Sequence, residues 1–325
     1  MKVKITTSGR LHLGFMDLNG DLGRLYGSIG VTVKAPRTQL TVEKHEKLVI
    51  NNVKDSNFFK RISSFIKTFS DHYKITPGGI INITRHIPEH KGLGSGSQLG
   101  LALATALTRI CNIDEESHDL ALMAGRGLRS GIGITAFKKG GFIIDGGKKR
   151  ISPKKTSPEP PKALLRYKFP SSWHFVIVIP EKKVGLSGDQ EKEAMGYVSP
   201  SRRISEEICR LVMMQLLPSL IDEDLEKFGN AVSEIDIRTG TFFKSVQGGI
   251  YSEKSSYGII RQMIDSGAAG AGQSSWGPAV YGLVHVNDAP LLAENMKDFM
   301  ERKKIRGDVI ITQARNRGAK IDIIP

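Results

Sequence analysis

Lys91–Ala102 reads KGLGSGSQLGLA, with four glycines and two serines in its first ten residues and an apolar segment directly behind them. Glycines let the backbone fold so that several N–H groups point inward, and a following helix adds the positive end of its dipole. Together these features make a cradle for an anion, most often a phosphate. The same residues also read as a tight strand-to-helix connection with Ser95 or Ser97 as an ordinary N-cap. The stretch is not a Walker A loop, because no Gly-Lys-Ser/Thr ends it. Nor does it fit G-x-G-x-x-G, since Ser97 stands where the third glycine belongs.

Strand-like segments precede the loop: KVKITTS, SIGVTVKAP, QLTVEKHEKLVI and GGIINITRHIP, with one amphipathic segment, Phe58 to Phe69, among them. Behind the loop, Gln98 to Ile110 carries Leu99, Leu103, Ala106, Leu107 and Ile110 at helical spacing, and a second helical pattern runs near Asp114 to Leu128. The proline-rich, charged stretch from Lys148 to Pro170 reads as a linker or exposed crossover, which places a domain boundary there: residues 1–160 and 161–325. The second half alternates strands (HFVIVIP, AVYGLVHV, GDVIITQA) with helices (Ser201 to Leu217, Asp222 to Thr239, Tyr257 to Ser266, Leu291 to Lys303). It also holds a second glycine-rich turn, GAAGAGQSSWG, so the class is α+β.

At 325 residues two domains are expected. Lys and Arg (47) exceed Asp and Glu (33) by 14, a balance that attracts anions: nucleic acid, an acidic membrane surface or a phosphorylated metabolite. The 7% aromatic content is not interleaved with basic residues and no RNA-recognition motif appears, which argues against a non-catalytic RNA-binding protein. No apolar run reaches a membrane span, and the N-terminus lacks the features of a signal peptide, so a cytoplasmic protein is expected. Cys111 and Cys209 read as buried thiols in helices, with no structural zinc expected.

Three separated features, P-x-x-x-G-L-G-S-G-S from Pro88, the early GRLHLGFMDL and the late GAAGAGQSSWG, resemble the GHMP superfamily of small-molecule kinases. The resemblance implies a two-domain fold: an N-terminal domain like ribosomal protein S5 domain 2, with the phosphate loop, and an α/β-sandwich C-terminal domain with the glycine turn. It also implies ATP-dependent phosphorylation of a small alcohol. One departure bears on that activity. Such kinases commonly carry S-G-x-D, whose Asp takes the proton of the substrate hydroxyl; here the segment is Ser130-Gly131-Ile132-Gly133, and a glycine accepts no proton.

The departures resemble one branch of the superfamily, the β-ribofuranosylaminobenzene 5′-phosphate synthases. The likeness rests on R-L-H-L-G-F-x-D-L from Arg10, G-L-G-S-G-S-Q from Gly92, R-x-x-R-S-G-I-G from Arg126, GGFIIDGG from Gly140 and GAGQSSWGPAVYG from Gly270. That branch opens tetrahydromethanopterin biosynthesis. The resemblance implies a pentosyltransferase that joins phosphoribosyl diphosphate to 4-aminobenzoate or 4-hydroxybenzoate, releasing carbon dioxide and diphosphate, and that acts as a homodimer without nucleic acid or membrane partners. No hydroxyl needs activating in such a reaction, so the missing Asp is tolerated. Mg²⁺ is expected from diphosphate chemistry, with its ligands unknown.

The resemblance also assigns roles. The loop Gly92, Leu93, Gly94, Ser95, Gly96, Ser97, with Lys91 beside it, would hold diphosphate as a leaving group. Asp17 would stabilise positive charge or position ribose hydroxyls, and Arg24 would bind a phosphate or the benzoate carboxylate. Locally, Asp17 also reads as a turn-forming Asp before Asn19-Gly20. Arg10 and His12 share a strand face. Arg126 and Arg129 either bind phosphate or complement a helix end. Gln273, Ser274, Ser275 and Trp276 would shape the aromatic pocket, with Trp276 stacking on the ring, or form a glycine turn packed on the first domain. His86 and His90 read as surface residues, and Arg315 and Arg317 as an anion clamp or a solvated basic tail.

Overall fold

The computed structural model describes residues 1–152, 155–181, 193 and 201–325. Two long strands, β1 (Lys2–Asp17) and β2 (Arg24–Glu43), form an antiparallel hairpin that organises the first sheet. β3 (Leu48–Asn51) and β4 (Gly79–Arg85) extend it on one side, with α1 (Ser56–Tyr73) between them in sequence. The phosphate-loop candidate follows β4 and opens α2 (Ser95–Ile110); α3 (Ser117–Met123) and α4 (Ile132–Lys138) come next. β5 (Phe142–Asp145) then pairs with β2.

The Lys148–Pro170 stretch, expected to be a linker or exposed crossover, is largely exposed where described and carries short strands. β6 (Lys148–Ser152) pairs with β2 and with β7 (Lys155–Thr156), and β8 (Ala163–Tyr167) pairs with β5, so its charged residues decorate a sheet edge. Pro153 and Lys154 of that stretch lie outside the described residues. The second sheet is antiparallel with strand order β10-β11-β9-β12, formed by β9 (Trp173–Pro180), β10 (Gly270–Gln273), β11 (Val280–His285) and β12 (Gly307–Gln313). Its helices are α5 (Arg202–Leu211), continued through a π-turn and α6 (Leu217–Ile221), then α7 (Leu225–Gln247), α8 (Lys254–Asp265) and α9 (Ala289–Arg302). The last strand, β13 (Lys320–Ile324), returns to pair with β1 of the first sheet.

Three apolar layers hold these parts together. Leu99, Leu103 and Leu107 of α2 and Ile62, Ile66 and Phe69 of α1 pack on Val3, Ile5 and Leu40 of the first sheet. On the far side of the second sheet, Ile259, Met263, Leu292 and Met296 cover Val176 and Val178. A middle cluster joins Leu11, Phe15 and Val31 of the hairpin to Phe175 and Ile177 of β9 and to Phe228 and Ile235 of α7. Each fully buried side chain of this size contributes about 1.5–3 kcal/mol, so the middle layer binds the two sheets into one body at the place where the loop and the glycine turn meet. The cysteines depart from expectation: Cys111, half-buried, caps the C-terminus of α2, and Cys209 lies on the exposed side of α5 next to buried Ile208.

Candidate active site

The loop opens α2 without any side-chain cap. Gly94 is the cap residue, in the left-handed region, and Ser95 and Ser97 lie inside the first turn. The first N–H groups of the helix therefore remain for a ligand rather than for a serine hydroxyl. Gly92, also left-handed, is pressed against the second glycine turn: a Cβ there would run into the Ser274 carbonyl oxygen and lie 3.2 Å from that of Gly277. Ser274 ties the two halves together, donating from Oγ to Gly92 O (2.8 Å) and accepting from His12 N (3.0 Å).

Arginines surround this cradle. Arg10 Nη1 donates to Gly92 O, and the Arg10 stem passes close over Gly94. Arg61 of α1 and Arg126 sit over Gly96, where a Cβ would come within 2.9 Å of Arg126 Nη1. Arg61 also pairs with Glu89. Between α1 and α2 these two arginines line a cavity of about 230 Å³ together with Ser64, Phe65 and Gly100. Lys91 turns the other way, donating from Nζ to Pro180 O (2.8 Å) and Glu181 O (3.0 Å), and desolvation lowers its pKa.

Gly133, the position of the kinase carboxylate, faces the loop: a Cβ on it would lie 3.0 Å from Ser97 Cβ. Gln98 holds this arrangement, since its Nε2 donates to Gly133 O (2.8 Å) and its Oε1 accepts from the Thr7 hydroxyl. The Ser130-Gly131 turn is fixed by Asp145, which accepts from Gly131 N (2.8 Å), Gly147 N (2.9 Å) and Ser28 N (3.1 Å). Burial raises the Asp145 carboxyl to about 6 against the lowering effect of these N–H bonds.

Asp17 and Arg24 stand at the hairpin end, apart from the loop contacts. Asp17 Oδ1 accepts from Asn19 N (2.7 Å), Gly20 N (3.0 Å) and the Ser205 hydroxyl (2.9 Å), which is the turn geometry. Arg24 donates to the carbonyls of Gly146 and Gly147, one and two residues after Asp145. Burial, with Arg129 nearby, lowers the pKa of Lys148. Arg315 braces its own turn through Arg317 O and Gly318 O, and His86 packs on Phe58.

Gln273–Trp276 forms the wall between the sheets. Gln273 Oε1 accepts from Ser252, its Nε2 donates to Ser275 O, and Trp276 packs on Phe243 at 4.5 Å between ring centroids. The Trp276 ring is thus half spent on the core, with an edge on a small cavity shared with His12. Arg10, Leu11 and His12 pair in unbroken register with Thr32, Val31 and Gly30, so Arg10 and His12 keep the shared face that alternation implies, and the register shift comes only after His12. Burial, with Arg10 nearby, lowers His12 to about 3, which leaves it neutral. The site contains two groups that sequence reasoning did not single out. Arg61 lies within a helix read only as amphipathic, and Asp236, on α7, is buried where its helical pattern gives no sign of a polar partner.

Residues 57–141 match the model of the GHMP kinases N terminal domain. The chain is 33% identical to the β-ribofuranosylphenol 5′-phosphate synthase of Methanothermobacter thermautotrophicus, over 97% of each chain. It is 30% identical to the protein of the same name from Methanocaldococcus jannaschii, over 98% of this chain and 99% of that one. In fold it is similar to homoserine kinase from Cytophaga hutchinsonii (TM-score 0.69, 16% identity, 99% and 97% covered). It is likewise similar to mevalonate diphosphate decarboxylase from Enterococcus faecalis (TM-score 0.67, 15% identity, 99% of each chain covered). A GHMP-type phosphate loop without the kinase carboxylate, carried on a chain related end to end to these synthases, makes this protein a member of the β-ribofuranosylphenol 5′-phosphate synthase family.

Proposed function

We propose that the protein is a decarboxylating pentosyltransferase. It joins 5-phospho-α-D-ribose 1-diphosphate to a 4-substituted benzoate through a carbon–carbon bond and releases carbon dioxide and diphosphate. The observation that carries this reading is Gly133 facing the phosphate loop: the anion cradle is present while the base for a hydroxyl nucleophile is missing. This weighs against the ATP-dependent kinase reading. The relatives' name specifies a phenol product, which favours 4-hydroxybenzoate over 4-aminobenzoate as the acceptor.

In this reaction diphosphate leaves as positive charge grows at the anomeric carbon, and the ring carbon bearing the carboxylate attacks. The N–H groups of Ser95, Gly96 and Ser97 at the start of α2, with Arg61 and Arg126, hold the departing diphosphate. Arg10 fixes the loop's shape through Gly92 O. The role proposed for Asp17, positioning the ribose or its charge, would fall to Oδ2, because Oδ1 is committed to the turn. Arg24, anchored on Gly146 and Gly147, and Arg129 are the cations proposed for the 5′-phosphate or the carboxylate. Among the described residues no group of three His, Cys, Asp or Glu side chains is placed to hold a metal ion. Mg²⁺ is therefore proposed only as the diphosphate's own counter-ion, and no step is routed through it.

Among the described residues no helix is long and apolar enough to cross a membrane. The homodimer and the cytoplasmic location remain part of this proposal, the former checked by light scattering. The deciding experiment incubates the protein with phosphoribosyl diphosphate, Mg²⁺ and carboxyl-labelled 4-hydroxybenzoate or 4-aminobenzoate. Labelled carbon dioxide and diphosphate in equal amounts are expected; none from either benzoate overturns the function.

A further inference from the structure

Against the wall formed by Gln273–Trp276 lies a cavity of about 20 Å³, room for one water-sized group. Phe15, Phe243 and Trp276 give it aromatic sides, and its polar lining includes His12, Asp236, Thr239, Tyr251 and Gln273. The polar atoms here are buried and short of partners. His12 Nε2, Asp236 Oδ2, Thr239 Oγ1 and the neighbouring Tyr281 hydroxyl all lack one at hydrogen-bonding distance and angle. One such orphan costs about 1–3 kcal/mol. Three of these residues line one aromatic-sided cavity and Tyr281 stands behind Asp236, an arrangement that indicates a ligand supplying the missing hydrogen bonds.

Among the described residues Asp236 is the only carboxylate in this lining, and no lysine or arginine accompanies it there. The groups that face it are the Gln273 N–H of β10 (2.9 Å), the Tyr251 hydroxyl from the segment after α7, Tyr281 of β11, neutral His12 of β1 and Thr239 one turn along its own helix. Burial raises the carboxyl to about 7, while the Gln273 N–H and Tyr251 hydroxyl act to lower it. A buried carboxylate with that balance is half ionised near neutrality, where a general base is most effective.

We propose, resting on the function above, that this cavity receives the 4-hydroxyl of the benzoate and that Asp236 takes its proton as the ring attacks. The 4-oxygen is para to the carbon that carries the carboxylate, so its lone pair feeds the bond formed there. The new carbon–carbon bond forms as the anomeric C–O bond breaks, and diphosphate leaves with that electron pair. The hydroxyl proton passes to the Asp236 carboxylate, which leaves a neutral dienone with the carboxylate still on the attacked carbon. The C–CO₂ bond then breaks, carbon dioxide departs, and its electron pair restores the aromatic ring as a phenolate. Asp236 returns the proton to that oxygen. Thr239 and His12, which line the cavity, complete the hydrogen bonds of the oxygen in its changing states.

The test is steady-state turnover of 4-hydroxybenzoate as a function of pH for the wild type, Asp236→Asn and Tyr251→Phe, with folding followed by circular dichroism. Wild-type kcat is expected to rise along a limb centred near pH 7. Asp236→Asn is expected to lose on the order of 100-fold or more in kcat and the limb with it, while the KM for phosphoribosyl diphosphate stays unchanged. Tyr251→Phe removes a hydrogen bond to the carboxylate and is expected to move the limb to higher pH. An active wild type with an Asp236→Asn variant that keeps both kcat and the limb overturns this step alone. Should Asp236→Asn not fold, an unmoved limb in Tyr251→Phe does the same. A wild type inert towards both benzoates overturns the proposed function, and this step falls with it.

Discussion

Replacing Gly92 with alanine tests whether the loop and the glycine turn act as one anion site. The substitution carries two penalties. Alanine at a left-handed φ of 77° costs about 1–2 kcal/mol wherever it occurs. The Cβ also runs into the Ser274 carbonyl oxygen, so the loop and turn must separate by on the order of 1 Å to restore van der Waals contact. Gly267→Ala isolates the first penalty, since its φ is 91° and nothing lies within 4 Å of its Cβ. Both variants are expected to lose a few degrees in Tm, with Gly92→Ala losing more. Only Gly92→Ala moves the donors on the diphosphate, and a shift of that size costs roughly 100-fold in kcat/KM, about 2.7 kcal/mol of transition-state binding. Diphosphate release and differential scanning calorimetry read the two effects. A Gly92→Ala enzyme with the Tm of Gly267→Ala and wild-type kcat/KM would refute the coupling of loop and turn.

Other perturbations separate the remaining parts. Gly133→Asp restores the kinase carboxylate beside Ser97. Repulsion of about 1.4 kcal/mol should raise the KM for phosphoribosyl diphosphate roughly tenfold without conferring ATP-dependent phosphorylation, and a tighter KM would contradict the diphosphate assignment. Arg61→Ala or Arg126→Ala removes a charge-assisted contact of about 1.5–3 kcal/mol and should raise the same KM by roughly 10- to 100-fold, with a weaker dependence on salt than the wild type. Asp145 has a carboxyl raised from 3.8 to about 6, so the folded state holds the proton more tightly than the unfolded chain. Its stabilisation is full below pH 3.8 and is lost as pH rises through about 6, roughly 3 kcal/mol in all. Urea unfolding of Asp145→Asn between pH 4 and 6 should lack that decline; an unchanged slope would place the linkage elsewhere.

Local pattern carried much of the fold. The alternation of KVKITTS and SIGVTVKAP became β1 and β2, and Leu99, Leu103 and Leu107 formed the buried face of α2. Between Lys148 and Pro170 the exposure was legible but the strands were not, because prolines and charges mark an exposed backbone equally well at a sheet edge and in a linker. Asp114 to Leu128 proved a shorter helix, Ser117–Met123, with the glycines at 125 and 127 both in left-handed turns. The site was legible where a motif fixes the backbone, as at Gly92–Ser97. Arg61 was not, because nothing in an amphipathic helix tells which of its charged residues will lean over another element.

By itself the sequence determined the anion cradle, its place at the start of a helix and the absence of a carboxylate at Gly133, since glycine spacing and residue identity act on the nearest backbone. Which side chains converge on that cradle was decided only by the tertiary structure. Ser274 reaches Gly92 across 182 positions of the chain, and Asp236 meets Gln273 and shares a cavity with His12 only once α7 packs on the hairpin and the second sheet. Neither contact is foreshadowed locally. A hydrogen bond between distant segments depends on how the middle apolar layer seats the two sheets, and that seating is the sum of many burials rather than the choice of any single residue.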